Sequence, residues 1–217
     1  MKKAASRRVF VLSPASCGGE RARLLFNPHA RFDLARELRT TAGAPLGQVF
    51  SFLSGLYFRG KLEYARAFAR PPAGVPGVFV ITAGEGLCLP EMRVQLDVLE
   101  RWAGIPIDTG EPRYTQPLLR DARALESAIQ GARCEVVLLG SVATGKYVDL
   151  LQDVVGDLLH FPVDFVGRGD MSRGGLLLRS ARDGRELGYA PVAGSTRRGS
   201  RPPRLVPRPG ILGPTRH

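Results

Sequence analysis

The chain has 217 residues, 44% of them hydrophobic, which suits one globular domain with a sizeable core. No apolar run approaches the roughly 18 residues needed to cross a bilayer, so a membrane-spanning protein is not expected. The formal net charge of +11 is concentrated at the two ends. Lys2, Lys3, Arg7 and Arg8 lie at the front, and Arg197, Arg198, Arg201, Arg204, Arg208 and Arg216 lie in the last 26 residues, with no acid in either stretch. The remainder holds 21 basic and 20 acidic residues and is nearly neutral.

Residues 1–7 therefore read as a basic arm. Residues 8–191 read as a single α/β domain, and 192–217 as a disordered tail rich in Arg, Pro and Gly. Such ends attract polyanions through counterion release, or they simply solubilise the chain. The Val9–Leu12 run is too short for a signal peptide and Pro14 ends it. Cys17, Cys88 and Cys134 are odd in number and widely spaced, which predicts reduced thiols in a cytoplasmic protein and no metal site.

Along the chain, Arg8–Ser13 is β-branched and apolar and predicts the first strand. A short helical turn follows over Arg21–Phe26, then helical spacing over His29–Arg39. Leu46–Ala69 predicts one or two helices with Gly55 and Gly60 as possible breaks. Val78–Thr82 predicts the second strand, and residues 91–103 a helix around Leu96, Leu99 and Trp102. Pro117–Ile129 predicts a helix opened by its proline. Glu135–Leu139 is the third strand and Lys146–Leu159 an amphipathic helix. Phe161–Val166 is the fourth strand, placed near an edge by Pro162. Leu176–Arg179 and Glu186–Tyr189 predict a C-terminal hairpin around Asp183-Gly184. Alternation of this kind indicates a mainly parallel sheet with helices on both faces.

Ligands of open α/β sheets bind beyond the carboxyl ends of the strands. Four predicted strand ends carry unusual loops. The first is Ser13-Pro-Ala-Ser-Cys-Gly-Gly-Glu20, with Ser16, Cys17 and Gly18 as candidate contacts. The second is Ala83-Gly-Glu-Gly-Leu87, where Glu85 beside Gly86 is a candidate general base. The third, Gly140-Ser-Val-Ala-Thr-Gly-Lys146, has the spacing of a phosphate loop through Gly140, Ser141 and Lys146. Tyr147 stands where that motif places a magnesium-binding hydroxyl, so nucleotide hydrolysis is disfavoured and no metal or cofactor is expected. The fourth, Gly167-Arg-Gly-Asp-Met-Ser-Arg-Gly-Gly175, offers Arg168, Gly169, Ser172 and Arg173 for anion contacts and Asp170 as base or arginine partner. The plainer alternative there is a turn with solvated charges. Tyr57 and Tyr64, seven residues apart, share a helical face and read as core or as a stacking platform.

Three of these segments together, Ser13-x-x-Ser16-Cys17-Gly18-Gly19, Ser54-Gly-Leu-Tyr-Phe-Arg-Gly-Lys-Leu-Glu-Tyr64 and Ala83-Gly-Glu-Gly-Leu87, resemble a bacterial and phage family. That family is similar to the core domain of archaeosine synthase and, at fold level, to the uracil-DNA glycosylase superfamily. Glu20 and Arg21 stand where the family's lysine usually lies. The resemblance spans about residues 9–175. It implies a three-layer α/β/α fold around a four-stranded parallel sheet, acting on a base in DNA or RNA. The leading expectation is a DNA glycosylase, serving repair or defence against phage with modified bases. Its base would sit between the first, second and fourth loops. Asp170 or Glu85 would handle water, and Arg168, Arg173 and Lys146 would hold phosphates. The alternatives are a non-catalytic nucleic-acid module and an enzyme of nucleotides or small phosphates. Oligomeric state is left open.

Overall fold

The computed structural model describes residues 6–196, 199–200 and 202–203. The rest of the two basic ends lies outside the described residues. The chain is mixed α/β. Its main sheet has six strands in the order β4-β3-β1-β6-β7-β8. These are β1 (Arg7–Leu12), β3 (Val78–Ile81), β4 (Leu87–Cys88), β6 (Cys134–Leu139), β7 (Leu159–Pro162) and β8 (Tyr189–Pro191). β2 (Ala44–Pro45) and β5 (Arg93–Val94) form a separate two-residue pair.

The four inner strands β3, β1, β6 and β7 run parallel and correspond to the four strands expected from sequence. β4 and β8 are antiparallel additions at the edges. The strand of Pro162 is thus near an edge as expected, one strand in, with Pro162 opposite Tyr189 of β8.

Period-two alternation divides the core. Phe10 and Leu12 of β1, with Val137 and Leu139 of β6, face one hydrophobic layer. Val9 and Val11, with Val136 and Leu138, face the other. The first layer is covered by α1 (Glu20–Phe26), α2 (Asp33–Glu37), α3 (Leu46–Ser54), α4 (Leu56–Phe68), α5 (Leu96–Ala103) and α8 (Asp170–Asp183). The second is covered by α6 (Pro112–Ile129) and α7 (Gly145–Val155). The expected three layers are present.

Several boundaries differ from the sequence reading. Gly55, at φ +59°, separates α3 from α4. Gly60 breaks nothing, because its role is packing: a Cβ there would lie 2.7 Å from the carbonyl oxygen of Gly174 on α8. α6 starts at Pro112, five residues before Pro117, and Glu111 caps it by accepting from the Arg113 N–H. The fourth strand is earlier and shorter than expected, and a 3-10 turn occupies Val163–Phe165.

The largest correction concerns the C-terminal hairpin. Leu176–Arg179 lies inside α8, which ends at Gly184 in the left-handed conformation. The Asp183-Gly184 pair that suggests a hairpin turn is a helix C-terminus. An antiparallel strand does follow, but β8 pairs with β7. Some described residues beyond 191 pack on the domain. Val192 is fully buried and its N–H donates to Leu159 O, and Ser200 packs on Gly167.

Candidate functional site

The parallel strands point their carboxyl ends to one rim, and a cleft of about 580 Å³ opens there. Its wall contains Pro14–Gly18 after β1, Ala83 after β3, Lys146 and Tyr147 at the start of α7, and Asp170 at the start of α8. All four predicted loops contribute to it. The remaining wall is apolar: Trp102 and Ala103 of α5, then Ile105, Pro106 and Ile107. The sequence reading assigns residues 104–107 no role.

Each sequence candidate now has a place. Ser16 and Gly18 are exposed on the cleft wall. Cys17 lies beside them but is buried, which pushes its thiol up to about 12 and makes it a poor nucleophile. Gly140 sits beneath the floor, where a Cβ would fall 2.7 Å from Ser13 Cβ and 3.2 Å from Tyr147 Cε2. The Ser141 backbone and the Ser13 hydroxyl both act on the Tyr147 hydroxyl. Lys146 is exposed at the mouth of the cleft.

Glu85 and Gly86 are not in the cleft. They turn the chain from β3 into β4, and this small hairpin is tied to α6 through the Leu87 N–H and Asp121 Oδ2 (3.0 Å). Glu85 is solvent-exposed there. The turn leaves β3 at the same rim, with Ala83 on the cleft wall, but Glu85 does not line the cleft and is set aside as a candidate base.

The fourth loop is shorter than expected. Gly167 to Gly169 form it, and Asp170 is already the first residue of α8 with Gly169 as its N-cap. Asp170 remains on the cleft wall with its side chain 68% exposed. Arg168 is held by Asp164 O, Ser172 Oγ and Pro203 O. Arg173 is only 6% exposed. Its guanidinium donates twice to Phe165 O and reaches Asp170 Oδ1 at 3.4 Å. It anchors the loop from inside and does not offer itself to a phosphate.

The close approach of α4 and α8 builds the floor. Gly60 and Gly174 face each other, and a Cβ on Gly174 would lie 2.8 Å from Tyr57 Cα. This contact sets Arg173 beside the Tyr57 hydroxyl, which is buried without a hydrogen bond of good geometry. It also sets α8 over Lys61, which is 1% exposed. Lys61 Nζ donates to Ser13 O (2.6 Å) and Ser13 Oγ (2.9 Å) and lies over the Tyr57 and Phe58 rings. Burial is the main influence and lowers the ammonium to about 7; Asp170 opposes the shift and Arg173 assists it.

Lys61 has a sequence signal that the loop-centred reading passes over. It stands four residues after Tyr57 and four before Ala65, inside the apolar stripe of α4. A lysine in that stripe is either solvated through its stem or deliberately buried. Trp102, the chain's single tryptophan, also has a buried Nε1 without a partner on the cleft wall.

The starts of α7 and α8, neither with a side-chain cap, both contribute residues to the cleft, so their positive helix ends lie beside it. Among the described residues no group of three or more His, Cys, Asp or Glu gathers to hold a metal, and no helix is long and apolar enough to span a membrane. No protein-family model, curated protein or solved structure matches the chain.

Proposed function

We propose that the protein acts on a base of nucleic acid, DNA in preference to RNA, and hydrolyses its N-glycosidic bond. The observation that carries this reading is Asp170, a solvent-facing carboxylate in a cleft whose wall also holds Pro14, Trp102, Ile105, Ile107 and Tyr147. Flat apolar walls suit an extruded base, and hydrolysis needs a carboxylate within reach of the sugar to orient water or oppose the oxocarbenium-like charge. Lys146 and the helix starts suit the flanking phosphates. The likeness of the three segments to the family related to archaeosine synthase and uracil-DNA glycosylases supports the same chemistry. Glu85 and Arg173 have no part in it. The basic ends add salt-sensitive capture of the polyanion. Repair and defence against phage carrying modified bases are both settings for such an enzyme.

The test is incubation with DNAs carrying normal, deaminated and hypermodified bases, followed by detection of alkali-labile abasic sites. Abasic product on at least one of these DNAs is expected; its absence from all of them contradicts the proposal. The helix starts and Lys146 also favour a second reading, a nucleotide or small-phosphate enzyme. That reading predicts thermal stabilisation by free nucleotides and indifference to removal of both basic ends.

A further inference from the structure

Lys61 is charged chemistry placed where it does not touch the cleft. It lies under the end of β1, shielded by Ser13, with its ammonium hydrogen-bonded to Ser13 Oγ at 2.9 Å. The Ser13 hydroxyl in turn acts on the hydroxyl of Tyr147, and the two side chains meet over the bare Cα of Gly140. Tyr147 lines the cleft alongside Asp170. Ser13, hydrogen-bonded to the buried amine, and Tyr147, on the cleft wall, thus lie side by side between Lys61 and the ligand space.

We propose that Lys61 supplies, through the hydroxyls of Ser13 and Tyr147, the proton that a departing base takes up. The inference rests on the base-releasing reading. In the step, water oxygen bonds to the sugar C1′ and the C1′–N bond breaks, its electron pair passing to the base nitrogen. That nitrogen takes the Tyr147 proton, Tyr147 takes the Ser13 proton, and Ser13 takes one from the Lys61 ammonium. Asp170 accepts the proton lost by water. Lys61 is left as a neutral amine and Asp170 as a neutral acid, and solvent restores both.

The surroundings of Lys61 suit a donor. The titratable and charged groups around it are Tyr57 on its own helix, Asp170 and Arg173 on α8, and Tyr147 on α7. Burial makes its ammonium a far stronger acid than an exposed lysine, near neutrality, where proton transfer to a leaving group is most effective. Because it acts through two other residues, Lys61 is a positioning residue and proton source.

The experiment is the pH dependence of base release, on whichever DNA gives abasic product, for the wild type, Lys61→Arg and Ser13→Ala. Wild-type release should fall as pH rises through about 7. Arginine keeps the positive charge but does not surrender a proton, so Lys61→Arg should release base at least about a hundredfold more slowly, with no fall near neutrality. Ser13→Ala retains the Lys61 bond to the Ser13 carbonyl and should fold, yet should lose a similar factor in kcat with KM unchanged. Wild-type rates and pH profiles in either folded variant overturn the inference and leave the base-releasing reading intact. Absence of release from the wild type overturns both.

Discussion

The two ends of β1 each bury a cation, and they surround it differently. At the start of the strand, Arg8 is bracketed by Glu135 (2.7 Å) and Glu186, and its guanidinium lies over the Tyr189 ring. Glu186 also pairs with Arg70, and the Tyr64 and Tyr189 hydroxyls share a hydrogen bond. Every charge there has an opposite charge in contact. At the other end Lys61 has a carbonyl, a hydroxyl and two ring faces, and among the described residues no carboxylate within ion-pair distance. The consequences follow from desolvation. Burial also opposes the charge of Arg8, but its glutamates outweigh it and its pKa rises; the Lys61 pKa falls. A paired cation secures the fold, whereas an under-paired one is free to change protonation state. The second kind sits beside the cleft, where perturbed groups are expected to concentrate.

The contrast can be sharpened by substitution. Glu186→Gln removes a carboxylate from Arg8 and Arg70 together, and should lower stability by about 2–3 kcal/mol in denaturant unfolding. A loss below about 0.5 kcal/mol would show that Glu135 alone suffices. Gly174→Ala forces a methyl group against Tyr57 Cα and Leu56 O, and should lower stability by about 1–2 kcal/mol. It should also loosen the floor that brings Arg173 and Lys61 together. Lys61→Met is read as a slope with pH instead of as a single loss. In the wild type, the unfolded chain holds the Lys61 proton up to about 10.5, whereas the fold releases it at about 7. Between those values the unfolded state binds more protons, so stability rises with pH. Lys61→Met should remove that rise in thermal or denaturant melts across the alkaline range. An unchanged slope would mean that Lys61 keeps its proton in the fold.

Much of this architecture is legible in the sequence because hydrophobic periodicity dominates it. The four parallel strands are continuous apolar runs, and their register follows from burial on both faces. The convergence of their loops follows from parallel topology alone, which is why Ser16, Lys146, Tyr147 and Asp170 were recognisable from strand ends. What escapes depends on local competition. Glycine-rich 167–175 reads as loop, yet Gly174 is needed inside α8 so that α4 can approach it. Asp183-Gly184 suits a hairpin turn and a helix C-terminus equally, and long-range packing on α4 decides between them. Glu85 is misplaced because the loop is a tight turn into β4, in which only Ala83 reaches the cleft wall. Lys61 is passed over because its burial follows from a helix–helix contact more than a hundred residues apart in sequence.

The central claim is that the cleft holding Asp170 breaks a glycosidic bond. Wild type and Asp170→Asn should be compared on one DNA for both base release and binding at fixed salt. The account predicts that Asp170→Asn loses at least about a hundredfold in release while its Kd stays within about threefold of wild type. Release at the wild-type rate, or an equal loss of release and binding, would contradict it.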